Sequence, residues 1–180
     1  MGFEDILGDC RLWALVEEGE PMNVLYKTFE TWNNQDELRQ FFLDNLSDLA
    51  KYFNIRSVDK AIFDTIEESH CLECLILDTS HSASLDAVFR PLEPYRMTEL
   101  FLSKEKAKGE RLHSHPSWLR IYAIKLAKES YLVTGGAIKL THTMAERAHT
   151  LEQLRKMEAV RNYLIENGVF DSDGLKDLVS

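Results

Sequence analysis

The chain has 180 residues, 44% hydrophobic and 28% charged, with a formal net charge of −9 at pH 7. Those proportions describe one globular domain, large enough to bury a core without disulfide or metal staples. They exclude a membrane span, since no run approaches roughly 18 apolar residues, and the net charge speaks against indiscriminate nucleic-acid binding. The opening MGFEDILGDC is acidic where a secretory signal is basic, and Cys10, Cys71 and Cys74 cannot form a disulfide framework. A reducing cytoplasm is the expected compartment.

In chain order, residues 1–21 are acidic and end at Gly19-Glu20-Pro21, which predicts an extension or short helix outside the main domain. Asn23 to Phe29 alternates well enough for a first strand. Asn34, with Glu37 three residues on, opens a helix over 36–52, along which Leu38, Phe41, Phe42, Leu46, Leu49 and Phe53 recur at helical spacing. Ser57 caps a second helix to about Ser69, carried by Val58, Ile62 and Ile66. Residues 72–77 read as a strand or as the end of that helix, 81–84 as a loop, and Pro91 and Pro94 bracket a connection. Cys71 and Cys74, with His70 beside them, resemble half a zinc site, but the run into Leu75-Ile76-Leu77 predicts buried structural thiols.

Residues 97–102 suggest another strand, and Lys104 to Arg111 is the most charged loop of the chain. The central feature follows. Residues 119–126 and 131–138 are rich in β-formers and flank the polar Ala127–Ser130, predicting a hairpin with a bulge at Gly135-Gly136. Arg120 and Tyr122 leave the first strand on one face, with Ile124 and Leu126. Thr150 and Gln153 then cap a last helix that ends at Asn167-Gly168, leaving an acidic tail over 169–180. The predicted organisation is an N-terminal extension (1–21), one domain (22–168) and a C-terminal tail (169–180).

Charge is unevenly spread: residues 96–161 carry a net of +6, residues 1–95 a net of −12 and residues 162–180 a net of −3. A basic segment between acidic flanks predicts an anion-binding face on an acidic body. His113-Ser114-His115-Pro116 resembles the metal-binding core of JAMM-type zinc isopeptidases. The Ser and Asp that complete that pattern fall on Ile124 and Leu126, so no metal or other cofactor is expected. What remains is Arg120, Tyr122, Lys139, Thr141 and His142, with Lys104, Lys106, Lys108, Arg111 and His113 from the charged loop and the segment after it. Such a set suits metal-independent phosphodiester chemistry on RNA, in which a ribose 2′-OH attacks the adjacent phosphate. Cations meet the charge on the phosphorane, His or Tyr moves protons, and an aromatic ring holds a splayed base.

Element order and three short stretches resemble the RelE/HigB-type toxin superfamily of bacterial toxin–antitoxin modules. The stretches are Thr98-Glu99-Leu100, Leu119-Arg120-Ile121-Tyr122, and Tyr131-Leu132-Val133 through Gly136-Ala137-Ile138-Lys139-Leu140-Thr141. The resemblance covers roughly residues 22–166. It implies an α+β fold of RelE/ParE type, with two N-terminal helices and a C-terminal helix packed on a small antiparallel sheet. The implied function is ribosome-dependent mRNA cleavage neutralised by an antitoxin protein, with no membrane partner and no DNA except through the antitoxin. Carried over by residue, Arg120 would contact the scissile phosphate and Lys139 a phosphate or ribosomal RNA; with the reading of the residues above, Arg120, Tyr122, Lys139 and His142 would be catalytic. Lys104, Lys106, Lys108, Arg111, His113 and Thr141 would bind substrate. Phe101 and Leu140 stand where the family carries cations, the Pro that usually opens the final segment is absent, and the protein is acidic where these toxins are basic. These departures imply weakened activity, or a catalytically silent RelE-like domain that binds protein or RNA.

Overall fold

The computed structural model describes residues 1–78, 84–92 and 101–180. Among these, the fold is α+β, with six strands in one mixed sheet. Strands β1 (Gly2–Asp5) and β2 (Leu12–Val16) form an antiparallel pair. The helices α1 (Val24–Asn33), α2 (Gln35–Asp44), α3 (Leu46–Phe53) and α4 (Val58–Leu77) follow. A short α5 (Leu85–Val88) leads to β3 (Phe89–Pro91), and then come β4 (Lys104–Lys108), β5 (Leu119–Ala127) and β6 (Ser130–Ile138). The chain closes with α6 (Ala148–Glu166) and α7 (Ser172–Val179). Strand order is β1-β2-β6-β5-β4-β3, antiparallel throughout except that β2 runs parallel to β6.

The hairpin is confirmed. β5 and β6 pair in antiparallel register, and β6 carries one extra residue, Thr134, opposite the Tyr122/Ala123 step, so the bulge lies beside Gly135-Gly136. Gly136 is required sterically: a Cβ there would sit 2.5 Å from Thr28 Cγ2 on α1 and 3.1 Å from the Arg120 carbonyl. Helix α1 packs on β6 and β2, with α2 and α4 behind it, and α6 covers the other face of β5 and β6. Leu119, Ile121 and Ala123 join the main core, whereas Tyr122 and Ala137 pack with Met144, Met157 and Leu154 under α6.

Several sequence expectations are corrected. Residues 24–33 are helix, because the Asn23 side chain accepts from the Leu25 and Tyr26 amides and Val24, Leu25, Phe29 and Trp32 share a buried face. The 36–52 helix is two helices broken at Asn45. Asn34 caps the first as expected, its side chain also bonding Glu37. Ser57 caps α4, and of the two readings of 72–77 the helical one holds, since Leu72 and Ile76 extend the buried stripe of α4 by one more turn. Residues 1–21 are no appendage: Leu12, Trp13, Ala14 and Leu15 are buried in the sheet. The tail also packs, through Leu175 and a bond from Ser172 Oγ to the Cys10 carbonyl. α6 begins two residues before Thr150, whose hydroxyl bonds the Met144 and Arg147 carbonyls, and its end at Asn167-Gly168 is as expected. Of the strand expected at 97–102, residues 97–100 lie outside the described residues, and Phe101 and Leu102 form a turn. Residues 81–83, Pro94 and Thr98-Glu99-Leu100 also lie outside them.

Candidate functional site: a cationic face on β4 and β5

The charged stretch expected to be a loop is strand β4. Lys104-Glu105-Lys106-Ala107-Lys108 alternates with period two, so Glu105 and Ala107 are buried while the three lysines lie on the opposite face. Register then places Lys108 opposite Arg120 and Lys106 opposite Tyr122. Directly opposed side chains of an antiparallel pair lie about 5 Å apart at Cβ, and like charges so placed repel. Lys139 follows β6, its amide bonded to the Trp118 carbonyl one residue before β5. Among the described residues none of Lys106, Lys108, Arg120 and Lys139 meets a carboxylate at ion-pair distance.

Their polar contacts are to carbonyls. Arg120 Nη1 donates to Ser117 O at 2.9 Å and Leu119 O at 2.7 Å, Lys106 Nζ to Leu92 O at 3.4 Å and Lys139 Nζ to His142 O at 2.5 Å. Burial pushes all four groups below their ordinary values. The Arg120 charge pushes the three lysines further, and Lys106 does the same to Lys108 and Lys139. The four cations thus feel one another. Glu68 offsets part of this at Lys108 and Arg120, and Glu146 at Lys139, but with no carboxylate at ion-pair distance among the described residues the cationic excess is a site to which a multivalent anion brings net attraction.

Tyr122 is fully buried beside this group, and burial pushes its phenol up to about 12, with Arg120 acting the other way. Its hydroxyl and Gln153 Oε1 of α6 are both buried without hydrogen-bond partners. At neutral pH the phenol is therefore a proton donor set behind the cations rather than an exposed stacking surface. His142 is exposed, with its ring edge-on to Tyr52 at 4.9 Å. A separate cleft of about 310 Å³ over Gly135-Gly136, between α1 and α6, is lined by charges of both signs, including the Lys156–Glu17 pair at 2.8 Å.

The other expected site residues lie elsewhere. Lys104 Nζ pairs with Glu158 of α6 at 2.9 Å. Arg111 closes its own loop onto the His113 and Ser114 carbonyls. Thr141 is only 6% exposed and donates to the Thr143 carbonyl. His113 faces Asp64 and Glu67 of α4, each at 3.5 Å, so carboxylates occupy both sides of a ring expected to meet an anion.

Sequence reasoning missed what His113-Ser114-His115-Pro116 does. His115 is buried and stacked on Trp118 at 4.1 Å, with Nδ1 2.9 Å from the Pro116 carbonyl and Nε2 3.0 Å from Asp64 Oδ2. Both ring nitrogens face acceptors. Glu68, one turn along α4 and 1% exposed, has no partner for either carboxyl oxygen. Burial pushes its carboxyl up, while Ser117 and the two histidines oppose the shift. This cluster ties the 109–118 loop to α4 and thereby fixes Ser117, whose carbonyl holds Arg120. Among the described residues no three His, Cys, Asp or Glu groups are placed to hold a metal ion.

Ile124 and Leu126, which stand at the remaining positions of the zinc-isopeptidase pattern, are buried core residues. Phe101 is 77% exposed, and Leu140 is buried. No described helix is long and apolar enough to cross a membrane. No family model matches the chain. No curated protein matches it. No solved structure matches it.

Proposed function

We propose that the face formed by Lys106, Lys108, Arg120 and Lys139 binds the phosphodiester backbone of RNA. In this reading the protein is the toxin of a toxin–antitoxin module, a ribosome-dependent mRNA endonuclease that needs no metal, acts in the cytoplasm and is neutralised by an antitoxin protein. The observation that carries it is the strand register that sets Lys108 against Arg120 and Lys106 beside them, with none of Lys106, Lys108, Arg120 and Lys139 in an ion pair with a carboxylate among the described residues. Among the described residues the element order departs from the expected one, with two strands and five α-helices before β3 and two α-helices after β6, so only the antiparallel β3–β6 strands followed by α6 accord with this reading. Arg120 and Lys139 neutralise the phosphorane, Lys106 and Lys108 hold the flanking backbone, and His142 at the exposed rim moves protons.

The alternative, a silent RelE-like domain that binds protein or RNA, is favoured by one observation. Leu140 and Tyr122 are buried where a working site would present a cation and an accessible aromatic ring.

Expressing the protein alone tests both readings. An active toxin arrests growth and cleaves translated mRNA, and Arg120→Ala lowers the cleavage rate about 10²–10³-fold. Because Arg120 is half-buried and bonds two carbonyls, its variant is paired with Lys108→Ala, an exposed position. Lys108→Ala weakens RNA binding and reduces the salt dependence of that binding by about one counterion. RNA binding with no cleavage selects the silent domain. RNA binding with a salt slope unchanged by Lys108→Ala overturns the site.

A further inference from the structure

Helix α4 presents a second set of chemical groups on its solvent side. Leu72 and Ile76 bury one stripe of its last turns, and Glu67, His70, Cys71 and Cys74 are all exposed. The sequence alone predicts buried structural thiols, and the structure exposes both. Cys71 and Cys74 are three apart on one helix, so they are neighbours on its surface, as are Glu67 with Cys71 and His70 with Cys74 at a spacing of four. Exposed free thiols are rare on protein surfaces, and here two of the chain's three cysteines share one turn.

We propose that Cys71 and Cys74 chelate one thiophilic cation of the Zn²⁺ or Cd²⁺ class on the exposed flank of α4. Neighbouring Cβ atoms at this spacing lie about 5–6 Å apart, and Zn–S bonds are about 2.3 Å long. Two thiolates on one tetrahedral ion are therefore within reach of both Cβ atoms after side-chain rotation alone. Soft sulfur ligands select this class of ion over Mg²⁺ or Ca²⁺. Both thiols lose their protons to solvent as the two metal–sulfur bonds form, with no change of oxidation state. No three donors converge among the described residues, so the helix supplies a two-thiolate chelate and water fills the remaining positions. The site lies on a different element from the cationic face and does not depend on the RNA reading.

The test is titration of the reduced full-length protein with CdCl₂, following the ultraviolet thiolate-to-cadmium charge-transfer band. Expected is one equivalent bound, with affinity unchanged in Cys10→Ser and lowered more than about tenfold in Cys71→Ser and in Cys74→Ser. The double variant Cys71→Ser/Cys74→Ser loses the band. Alkylation mapping on the wild type gives a second readout independent of any variant: bound Cd²⁺ protects Cys71 and Cys74 from iodoacetamide and leaves Cys10 unprotected. Absence of the band in the wild type, its persistence in the double variant, or protection of Cys10 instead would overturn the proposal.

Discussion

Glu68 shows how a single side chain sets a cost that the rest of the fold must carry. Its carboxyl is buried on α4 next to Asp64, and desolvation raises its folded value above the ordinary one against the opposing pull of Ser117, His115 and His113. The pH dependence follows from linkage. Below about 4.3 the carboxyl is protonated in both folded and unfolded chains. As pH rises from there toward the raised folded value, the unfolded chain releases its proton first and stability falls; above that value the loss is constant. Glu68→Gln removes this titration. Urea midpoints of wild type and variant are expected to separate as pH rises from about 4 to about 8, with the wild type losing ground. Parallel midpoints would show that Glu68 is not desolvated. The helical spacing of Asp64 and Glu68 can be read from sequence, but their meeting with His113 and His115, some fifty residues away, cannot.

At the scale of elements, the tie between α3 and the start of α6 is a two-pronged ion pair. Arg147 Nε and Nη2 each reach an oxygen of Asp48 at 2.6 Å, and Asp48 is buried. Removing the guanidinium leaves a buried carboxylate unpaired, while the exposure of Arg147 itself lowers the value of the pair. Arg147→Ala should therefore lower the midpoint of urea denaturation. Arg147→Lys should recover only part of that, because an ammonium cannot form the parallel pair of bonds. Full recovery by Lys would mean that charge alone is at work. Errors in reading the elements came from comparable local signals. Val24 to Phe29 offers both an alternating and a helical pattern, and the Asn23 cap decided for helix. The KEKAK run alternates plainly, yet its charge suggested a loop because its cross-strand neighbours were unknown.

For the whole molecule, β2 is the element that joins the N-terminal segment to the core. It lies parallel to β6, and Leu12, Trp13 and Leu15 are buried. Deleting large buried side chains costs about 2–5 kcal/mol each, against a total stability of about 5–15 kcal/mol. A chain beginning at Met22 is accordingly expected to lose cooperative thermal unfolding by circular dichroism. A cooperative melt with an unchanged midpoint would return residues 1–21 to the status of an appendage. The acidic excess of residues 1–95 and the cationic excess of 96–161 also act at this scale. Attraction between an anion and the cationic face is opposed by the net negative body, and salt screens both, so under the proposed RNA reading affinity should fall with salt less steeply than the four cations alone would give.

What the sequence determined by itself was local. Caps at Asn34 and Ser57, the β5–β6 hairpin with its bulge, and the Asn167-Gly168 helix end all follow from backbone geometry and side chains within a few residues. It also placed Arg120, Lys106, Lys108 and Lys139 in one candidate group. Tertiary structure alone decided which members stay together. Strand register sets Lys108 against Arg120, whereas Glu158 takes Lys104, and carboxylates of α4 take His113. It decided too that Tyr122 lies under α6 and that Cys71 and Cys74 face solvent. The physical reason is that burial and counter-charge belong to neighbours distant in sequence, and a short-range pattern carries no information about which neighbours the fold will supply.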